Sequence, residues 1–360
     1  MMKEPELVKE LVERAAGVLR ALIEQVPATK LEDIKFEQPC SDSRIDILAR
    51  LNVSDRNRLL VCEVKKSGQP RHVRMALLQL RNYVAHLGND AIPVFIAPYL
   101  SPEAQALCRE QGVGFLDLEG NARLVFSGVF IERLVASKPR AENRELKSLF
   151  KPKSAQVLRV MLRDPRRPWR VTKLAEIAGV SLGHVSNVRS GLLDREWAQV
   201  SEKGLSISEP AALLNAWRNQ YEPPAGKRIA FYTILHGASF EEAARRVLHA
   251  GPGKGQAVLA SFSAAQWLAP YGRTGTQYFY ADNSGLEQLK IALRLSVSPK
   301  GENVVVTVPK ELGIFQDTVE PAHGAVCTSP VQTYLDLTTA GERGQEAAEH
   351  LRHERLTWQN

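Results

Sequence analysis

Residues 59–70 read LLVCEVKKSGQP, an apolar run that gains an acid and two lysines just before it ends at Gly68 and Pro70. On a β-strand, residues two apart point to the same side, so Glu63 and Lys65 share one face. Because the rest of the run is apolar, we predict a central strand in which the two charges serve a purpose. The alternative is the solvent-facing side of an ordinary strand.

A second acid lies on the preceding predicted strand, RIDILARL at residues 44–51, where Asp46 is the only acid. Seventeen residues separate Asp46 from Glu63, enough for a hairpin in which the two carboxylates meet across the strand pair. Mg²⁺ usually takes one or two protein carboxylates and keeps several waters. We predict that Asp46, Glu63 and the Val64 carbonyl hold Mg²⁺ or Mn²⁺. Lys65 is then placed to orient a water or to stabilise the transition state.

The elements around this pair predict a mixed sheet with flanking helices over residues 1–137. Apolar spacing indicates helices at residues 5–25 and 73–87, and a third that begins at Ser101. The β-rich runs are residues 33–38, 44–51, 58–64, 92–98 and 114–118, of which we take the last to end the sheet.

This α-β-β-β-α-β order, with an Asp and a Glu-x-Lys on its second and third strands, resembles the PD-(D/E)XK nuclease superfamily. On the following helix Gln79 and Tyr83 are four residues apart and share one face, like the Q-x3-Y element of some branches. The resemblance implies a restriction-endonuclease-like sheet, Mg²⁺-dependent cleavage of DNA, and a place for both residues beside the catalytic group. Some members carry a Glu on the first helix, for which Glu13 is the candidate and Glu24 the rival. Ile45 stands where the motif has Pro.

The net charge of +7 is concentrated near the middle of the chain. Residues 138–153 are charged and poor in apolar side chains, and we predict a linker there. Residues 151–174 hold eight Lys or Arg and one acid. Such a local excess predicts a phosphate-binding surface, although a solvated basic face is the alternative.

Residues 154–222 contain three predicted helices and two short β runs around Lys203, an order that resembles a winged helix-turn-helix domain. The third helix opens on Ser181 as N-cap. We expect it to bury Leu182, Val185, Val188 and Leu192, and to present polar residues to DNA, with Asn187 suited to an adenine edge. The predicted DNA-binding residues are Arg166, Arg167, Lys173, Ser181, His184, Ser186, Asn187, Arg189 and Lys203. The alternative is a helical connector with a basic surface.

Residues 223–360 alternate strands and helices and predict a second α/β unit. Their stretches LASFSAAQWLAPY and SPVQTYLDLTTAGERGQEAAEHL resemble the AbiEi family of bacterial type IV antitoxins, and the resemblance extends over residues 154–356. The family consists of DNA-binding autorepressors paired with nucleotidyltransferase-type toxins. The resemblance therefore implies a transcriptional regulator with a toxin partner.

Composition places the chain among ordinary globular proteins, with 44% apolar and 24% charged residues. Its 360 residues predict two or three domains. The four cysteines form no CxxC pair, which disfavours a zinc site and a disulfide framework. With no signal peptide and no long apolar stretch, we expect a soluble, cytoplasmic, nucleoid-associated protein without membrane contact.

These features together predict a multi-domain α/β protein of bacterial origin that binds double-stranded DNA and cleaves it with a metal ion. The alternative is a non-catalytic transcriptional regulator or antitoxin that uses the nuclease-like fold to bind DNA or a partner. A homodimer and a toxin or mobile-element partner protein are both left open by the sequence.

Overall fold

The computed structural model describes residues 4–27, 29–40, 43–88, 90–135, 139–251, 253–272, 274–297 and 301–358. The chain divides into two compact units, which are Met1–Glu145 with Leu193–Glu196 and Leu146–Leu192 with Trp197–Asn360. The predicted domain boundaries at residues 137, 153 and 222 stay predictions. No helix in the described ranges is long and apolar enough to cross a membrane.

The first unit is built on one mixed sheet of seven strands with helices on both faces. Its elements are α1 (Glu4–Ile23), β1 (Thr29–Cys40), β2 (Ser43–Val53), β3 (Arg56–Val64), α2 (Pro70–Leu87), β4 (Ala91–Ala97), α3 (Pro102–Glu110), β5 (Gly114–Asp117), β6 (Ala122–Phe126) and β7 (Val129–Arg133).

The strands of this sheet follow one another in chain order from β1 to β7. Hairpins make β1, β2 and β3 antiparallel, whereas β3, β4 and β5 are parallel and are joined through α2 and α3. Helix α1 packs through Ala15 and Leu19 against one face, and α2 packs through Val73 and Leu80 against the other. The predicted α/β class, with a mixed sheet between helices, is confirmed.

The sequence pattern predicted that β5 ends the sheet, but the sheet continues beyond it. The β6–β7 hairpin adds two antiparallel strands and turns at Ser127 and Gly128, whose φ angles are +47° and +85°. Positive φ at both central residues is the type I′ geometry that joins antiparallel strands most tightly. The Ser-Gly pair between two alternating runs was the signal for this turn.

The second unit carries helices around a small hairpin and then a further seven-stranded sheet. Its helices are α4 (Arg140–Leu149, which begins before the unit boundary), α5 (Pro152–Arg163), α6 (Val171–Ala178), α7 (Leu182–Asp194), α8 (Pro210–Gln220), α9 (Gly237–Arg245), α10 (Ser261–Leu268), α11 (Asn283–Ala292), α12 (Pro330–Thr338) and α13 (Gly341–Arg355), with a 3₁₀ helix at Leu312–Gln316. Its strands are β8 (Ala198–Ser201), β9 (Gly204–Ile207), β10 (Gly226–Tyr232), β11 (Ala257–Leu259), β12 (Gln277–Ala281), β13 (Ser296–Val297), β14 (Val304–Pro309), β15 (Thr318–Val319) and β16 (Cys327–Thr328).

The larger sheet of this unit is also mixed, in the order β13-β10-β14-β12-β11-β16-β15. Strands β12 and β14 are parallel, as are β11 and β16, whereas the other neighbours are antiparallel. This confirms the second α/β unit. The short strands β15 and β16 and the 3₁₀ helix fill a stretch for which the sequence analysis assigned no element.

Helices α5, α6 and α7 and the β8–β9 hairpin occupy the places predicted from the sequence. Gly179 ends α6 at φ +63°, and the Ser181 hydroxyl accepts the His184 N–H at 3.3 Å as an N-cap. One expectation was wrong, because Leu182 is exposed while Val185 is buried. Leu182 is the first residue of α7, so it has no preceding turn to pack against.

The predicted linker, of which residues 139–153 are described and residue 138 is not, contains helices. Residues Arg140–Leu149 form α4, and α5 begins at Pro152. Leu146 and Leu149 are buried although the segment is strongly charged. Two apolar residues three apart were enough to fix one face of a helix, a signal that the overall composition masked.

A buried polar network lies in the α/β part of the second unit, around Asp336 on α12. Its Oδ1 accepts hydrogen bonds from Tyr221 Oη, from Tyr280 Oη at 3.0 Å and from Gln332 Nε2 at 2.9 Å. Within the described ranges, its Oδ2 is buried without a hydrogen-bond partner. Burial raises the pKa of Asp336 to about 6, although its three donors and Arg159 pull it down.

This raised pKa predicts that Asp336 makes the fold less stable as the pH rises. An unfolded Asp has a pKa near 3.9, so the folded chain binds the Asp336 proton more tightly than the unfolded chain does. The stability gained from this proton is fully present below about pH 4 and is lost as the pH rises through about 6. The loss is on the order of 3 kcal/mol. Asp336→Asn should remove this pH dependence while keeping an acceptor for the three donors. Chemical denaturation of both proteins between those pH values checks it, and equal slopes would contradict it.

Candidate functional site

The carboxylates of Asp46 and Glu63 lie together on adjacent strands. The β2–β3 pairing ends with Ile47 opposite Cys62, and one step further along the antiparallel ladder Asp46 faces Glu63. Both are on the side of the sheet covered by α2, since Val61 packs with the α2 residues while Cys62 packs with α1. The two acids that the sequence analysis selected are therefore brought together.

The backbone of the third strand holds Asp46 in place. The Val64 N–H donates to Asp46 Oδ2 at 2.7 Å, and the Lys65 N–H continues the sheet by donating to the Ile96 carbonyl at 2.9 Å. The contact seen for Val64 is made by its N–H. A role for its carbonyl as a metal ligand stays a prediction.

Glu63 is buried, with 2% of its surface exposed, and its two oxygens have different surroundings. Oε1 accepts a charge-assisted hydrogen bond from Lys65 Nζ, whose side chain is one-third exposed. Oε2 is buried and has no hydrogen-bond partner among the described residues. An unpaired carboxylate oxygen in such a place costs free energy unless it meets a cation or a donor.

Both carboxyl groups hold their protons more tightly than free side chains do. Burial is the main cause of the raised pKa of Asp46, partly offset by the Val64 N–H and by Lys65. Burial also raises the pKa of Glu63, the negative charge of Asp46 adds to it, and Lys65 lowers it. Two acids that disfavour each other's charge form a site that gains from a bound cation.

Helix α2 places Tyr83 beside these acids. Tyr83 is buried, and its hydroxyl donates to the Arg44 carbonyl at 2.7 Å. The phenol is also close enough to Glu63 to lower the pKa of that carboxyl. Gln79 lies one turn earlier on α2 and is half-buried. Tyr83 thus lies at the acid pair, whereas Gln79 makes no hydrogen bond to either acid within the described residues.

Neither acid proposed on the first helix joins the pair. Glu13 and Glu24 are exposed, and Glu24 follows the end of α1. Helix α1 packs on the sheet face that carries Cys62, opposite the face that carries Glu63. The sheet itself therefore separates α1 from the site.

The site's donor set fits a hard divalent cation with open coordination. It offers two carboxylates, one with a free buried oxygen, and the described ranges hold no group of three or more His, Cys, Asp or Glu that could hold a metal ion. Mg²⁺ is bound in this way, through one or two carboxylates and the substrate's phosphate oxygens, rather than in a complete protein cage.

Another buried acid of the first unit, Asp117 at the end of β5, was missed from the sequence although it is also a lone acid in an apolar run. Its oxygens accept N–H groups from Leu100 at 3.1 Å, from Glu119 at 3.0 Å, and from the Asn121 backbone and side chain at 2.9 and 2.7 Å. Four donors saturate this carboxylate. Asp117 therefore stabilises a turn, and the free oxygen of Glu63 has no counterpart here.

In the second unit, α7 has one buried face and one polar face. Val185, Val188 and Leu192 are buried, whereas Ser186 and Asn187 are exposed. His184 and Arg189 are half-buried, and Ser181 holds His184 through its Nδ1 at 3.1 Å. The polar residues that were predicted to reach DNA are therefore available on the surface of α7.

Four of the basic residues predicted to bind DNA are on the protein surface. Arg166, Arg167, Lys173 and Lys203 are exposed, as a phosphate-binding surface requires. Arg167 stacks over the Trp169 ring at 4.1 Å, and Lys173 pairs with Glu176 at 2.9 Å.

Two other arginines of the basic run are bound by groups of the second unit, of which Arg159 is buried and Arg163 is exposed. Arg159 is 5% exposed, and Arg163 donates to Asp317. The basic run on α5 is therefore only partly a surface for DNA.

The carboxyl-terminal part of the chain matches a known family. Residues 206–357 match the family described as transcriptional regulator, AbiEi antitoxin, type IV TA system. This confirms the predicted resemblance for the tail, although the match begins later than residue 154 and covers less than half of the chain.

Three solved structures show a distant likeness. A repair endonuclease from Pyrococcus abyssi is 21% identical over 33% of this chain and 47% of its own, with a TM-score of 0.23. The EndoMS-dsDNA2 complex is 23% identical over 30% of this chain and 45% of its own, also with a TM-score of 0.23. EndoMS in apo form is similar at 20% identity and a TM-score of 0.22. This chain spans less than half the length of these structures, and scores at this level do not establish a common fold. No curated protein matches the chain.

Proposed function

We propose that this protein is a DNA-binding phosphodiester hydrolase whose catalytic group is Asp46, Glu63 and Lys65. The observation that carries the proposal is the buried Glu63 Oε2, unpaired beside Asp46 while Lys65 occupies the other oxygen. Asp117 satisfies both of its oxygens, whereas Asp336 also has one unpaired oxygen among the described residues. What distinguishes Glu63 is the second carboxylate, Asp46, opposite it on the neighbouring strand, with Lys65 on the same face. The acid pair needs a cation, and phosphodiester cleavage uses one.

The carboxylates and the lysine of the site have different proposed roles. Asp46 and Glu63 would hold Mg²⁺ or Mn²⁺, which supplies charge neutralisation and an activated water when bound. Lys65 fixes Glu63 through Oε1 and keeps an ammonium group partly exposed, where it can donate to a phosphate oxygen or to the attacking water. Tyr83 supports the pair from α2, anchored on the Arg44 carbonyl.

Recognition of DNA is assigned to the second unit, in which α5 to α7 and the β8–β9 hairpin form a winged helix-turn-helix. Asn187 and Ser186 on α7 are exposed for base edges, and Arg166, Arg167 and Lys203 are exposed for phosphates. A module of this kind would deliver duplex DNA to the hydrolytic site.

The test is cleavage of plasmid and linear duplex DNA by the full chain with Mg²⁺ or Mn²⁺, compared with the same reactions in EDTA. Nicked or linear products that require the cation are expected. If all substrates stay intact with either cation, the hydrolase assignment fails.

A second function, transcriptional regulation, is favoured by the family match over residues 206–357. In that case the protein would bind an operator near its own gene, and the first unit would contact DNA or a partner protein such as a toxin. Footprinting on the upstream region tests this independently of cleavage. A homodimer is compatible with this function, and sedimentation of the DNA complex would reveal it.

A further inference from the structure

A cavity of about 350 Å³ lies within the second unit, and its lining includes none of the residues assigned to catalysis or to DNA. Its walls come from the α4–α5 junction, the end of α8, the segment after it, the 3₁₀ helix and α12. The volume falls in the range of small-molecule sites. Its lining differs from one side to the other, and this decides which ligand it fits.

One wall is aromatic and flat. The rings of Phe150 and Trp217 both line the cavity and are stacked on each other, with planes 5° apart and centroids 5.6 Å apart. Trp217 is 2% exposed and Phe150 is half-buried, so the accessible ring is that of Phe150, which Trp217 holds in place. A planar ring can pack on this rigid surface with little loss of conformational entropy.

The interior contains a polar group without a partner. Gln156 lines the cavity and is only 8% exposed, yet its amide makes no hydrogen bond within the described part of the chain. The amide is held against the backbone of Gly313, where a Cβ would lie 1.4 Å from Gln156 Nε2. A buried amide in this state has both a donor and an acceptor to offer a ligand.

A guanidinium group lies beside that amide. Arg159 also lines the cavity and is 5% exposed. Its Nη1 donates to Gln332 Oε1 at 3.0 Å and its Nη2 to the Gly313 carbonyl at 3.2 Å, while its nearest acid, Asp317, lies 3.9 Å from Nε and is shared with Arg163. Burial lowers the pKa of Arg159. The guanidinium groups of Arg159 and Arg163 therefore lie together with the carboxylates of Asp317 and Asp336.

The exposed lining residues carry further charges. Lys147, Lys151 and Lys310 are opposed by Glu222 and Glu311, and Lys147 is paired with Glu222 at 3.1 Å. The exposed lining therefore has three lysines against two glutamates, a small excess of positive charge.

We propose that this cavity binds a small planar aromatic anion, with its ring against Phe150 and its carboxylate between Gln156 and Arg159. The class is that of aromatic and heteroaromatic carboxylates. Such a ligand supplies the acceptor that the Gln156 amide lacks, a further acceptor for the N–H groups of Arg159, and a flat ring that matches the aromatic wall. The proposal is independent of the hydrolase assignment, since it shares no residue with the acid pair.

The test uses the full chain and two matched pairs of probes, indole-3-carboxylate with indole-3-carboxamide and 2-naphthoate with 2-naphthamide. Binding is measured by titration calorimetry and by the rise in melting temperature. Ala155→Leu fills the cavity from α5, Gln156→Leu removes only the amide, and Lys227→Gln removes an exposed lysine on β10 that does not line the cavity.

At least one carboxylate should bind the wild type and Lys227→Gln equally, about tenfold more tightly than its neutral amide. Ala155→Leu should abolish binding, and Gln156→Leu should weaken it about three- to tenfold, the effect of one hydrogen bond. Circular dichroism identifies a variant that fails to fold, in which case Gln156→Leu decides. If neither carboxylate binds the wild type, or if both bind Ala155→Leu and Gln156→Leu as they bind the wild type, the proposal is overturned.

Discussion

Replacing Glu63 by Gln is expected to lower cation-dependent DNA cleavage by at least about 100-fold, the usual effect of removing one group that stabilises transition-state charge. The substitution keeps the size of the side chain but removes its negative charge and replaces one carboxylate oxygen by an NH₂ group that cannot bind a cation. It also removes the carboxylate that fixes the Lys65 ammonium. Lys65→Ala should produce a loss of similar size. Initial rates of plasmid nicking with Mn²⁺ measure both.

Lys66→Ala is the matched control, because Lys66 is the adjacent lysine and is exposed. It should cleave at close to the wild-type rate, and the melting temperature of each variant shows whether the fold survives. Because the buried Glu63 carboxyl has a raised pKa from burial, Glu63→Gln should keep or raise the melting temperature in EDTA while cleavage is lost. If Glu63→Gln and the wild type cleave DNA at equal rates, the acid pair does not take part in the mechanism.

Replacing Asn187 by Ala is expected to weaken specific DNA binding by about 1–3 kcal/mol, the value of one bidentate contact to a base. Asn187 is exposed on the polar face of α7, next to the buried Val188 that holds the helix in place. The change should therefore relax preference at one base pair and leave binding to unrelated duplexes nearly unchanged. Fluorescence anisotropy with the footprinted site and a scrambled duplex measures both affinities.

A different pattern is expected for a phosphate contact. Arg166→Gln should weaken binding to both duplexes alike and reduce the dependence of affinity on salt concentration. If Asn187→Ala instead lowers affinity for all sequences equally, α7 does not read bases. Lys65→Ala should leave both affinities unchanged under either proposed function, provided that the second unit alone recognises the site.

The acid pair could be predicted from the sequence because its geometry is local. Asp46 and Glu63 lie on one hairpin, so their spacing and the alternation of the strands were sufficient to bring them together. Ser181 marks the start of α7 because its hydroxyl accepts the His184 N–H, and Gly179 marks the end of α6 through its positive φ. These features depend on residues close by in the chain.

The remaining features depend on partners far away in the chain. Alternation alone did not distinguish Glu63, with its free oxygen, from Asp117, whose oxygens are saturated by a turn. The inward direction of Arg159 follows from Gly313 and Gln332, more than 150 residues later. A basic run read in isolation gave no sign of those partners, and the cavity beside Arg159 was equally invisible.

The order of the strands has a consequence for how the first unit folds. Strands β1, β2 and β3 follow one another by tight hairpins, whereas β4 and β5 reach the sheet only after α2 and α3 have crossed over it. Closing a short loop costs less entropy than closing a helical crossover. The two acids can therefore meet early, in a hairpin still open to water. The burial that raises their pKa values, and the phenol of Tyr83, arrive only when α2 docks.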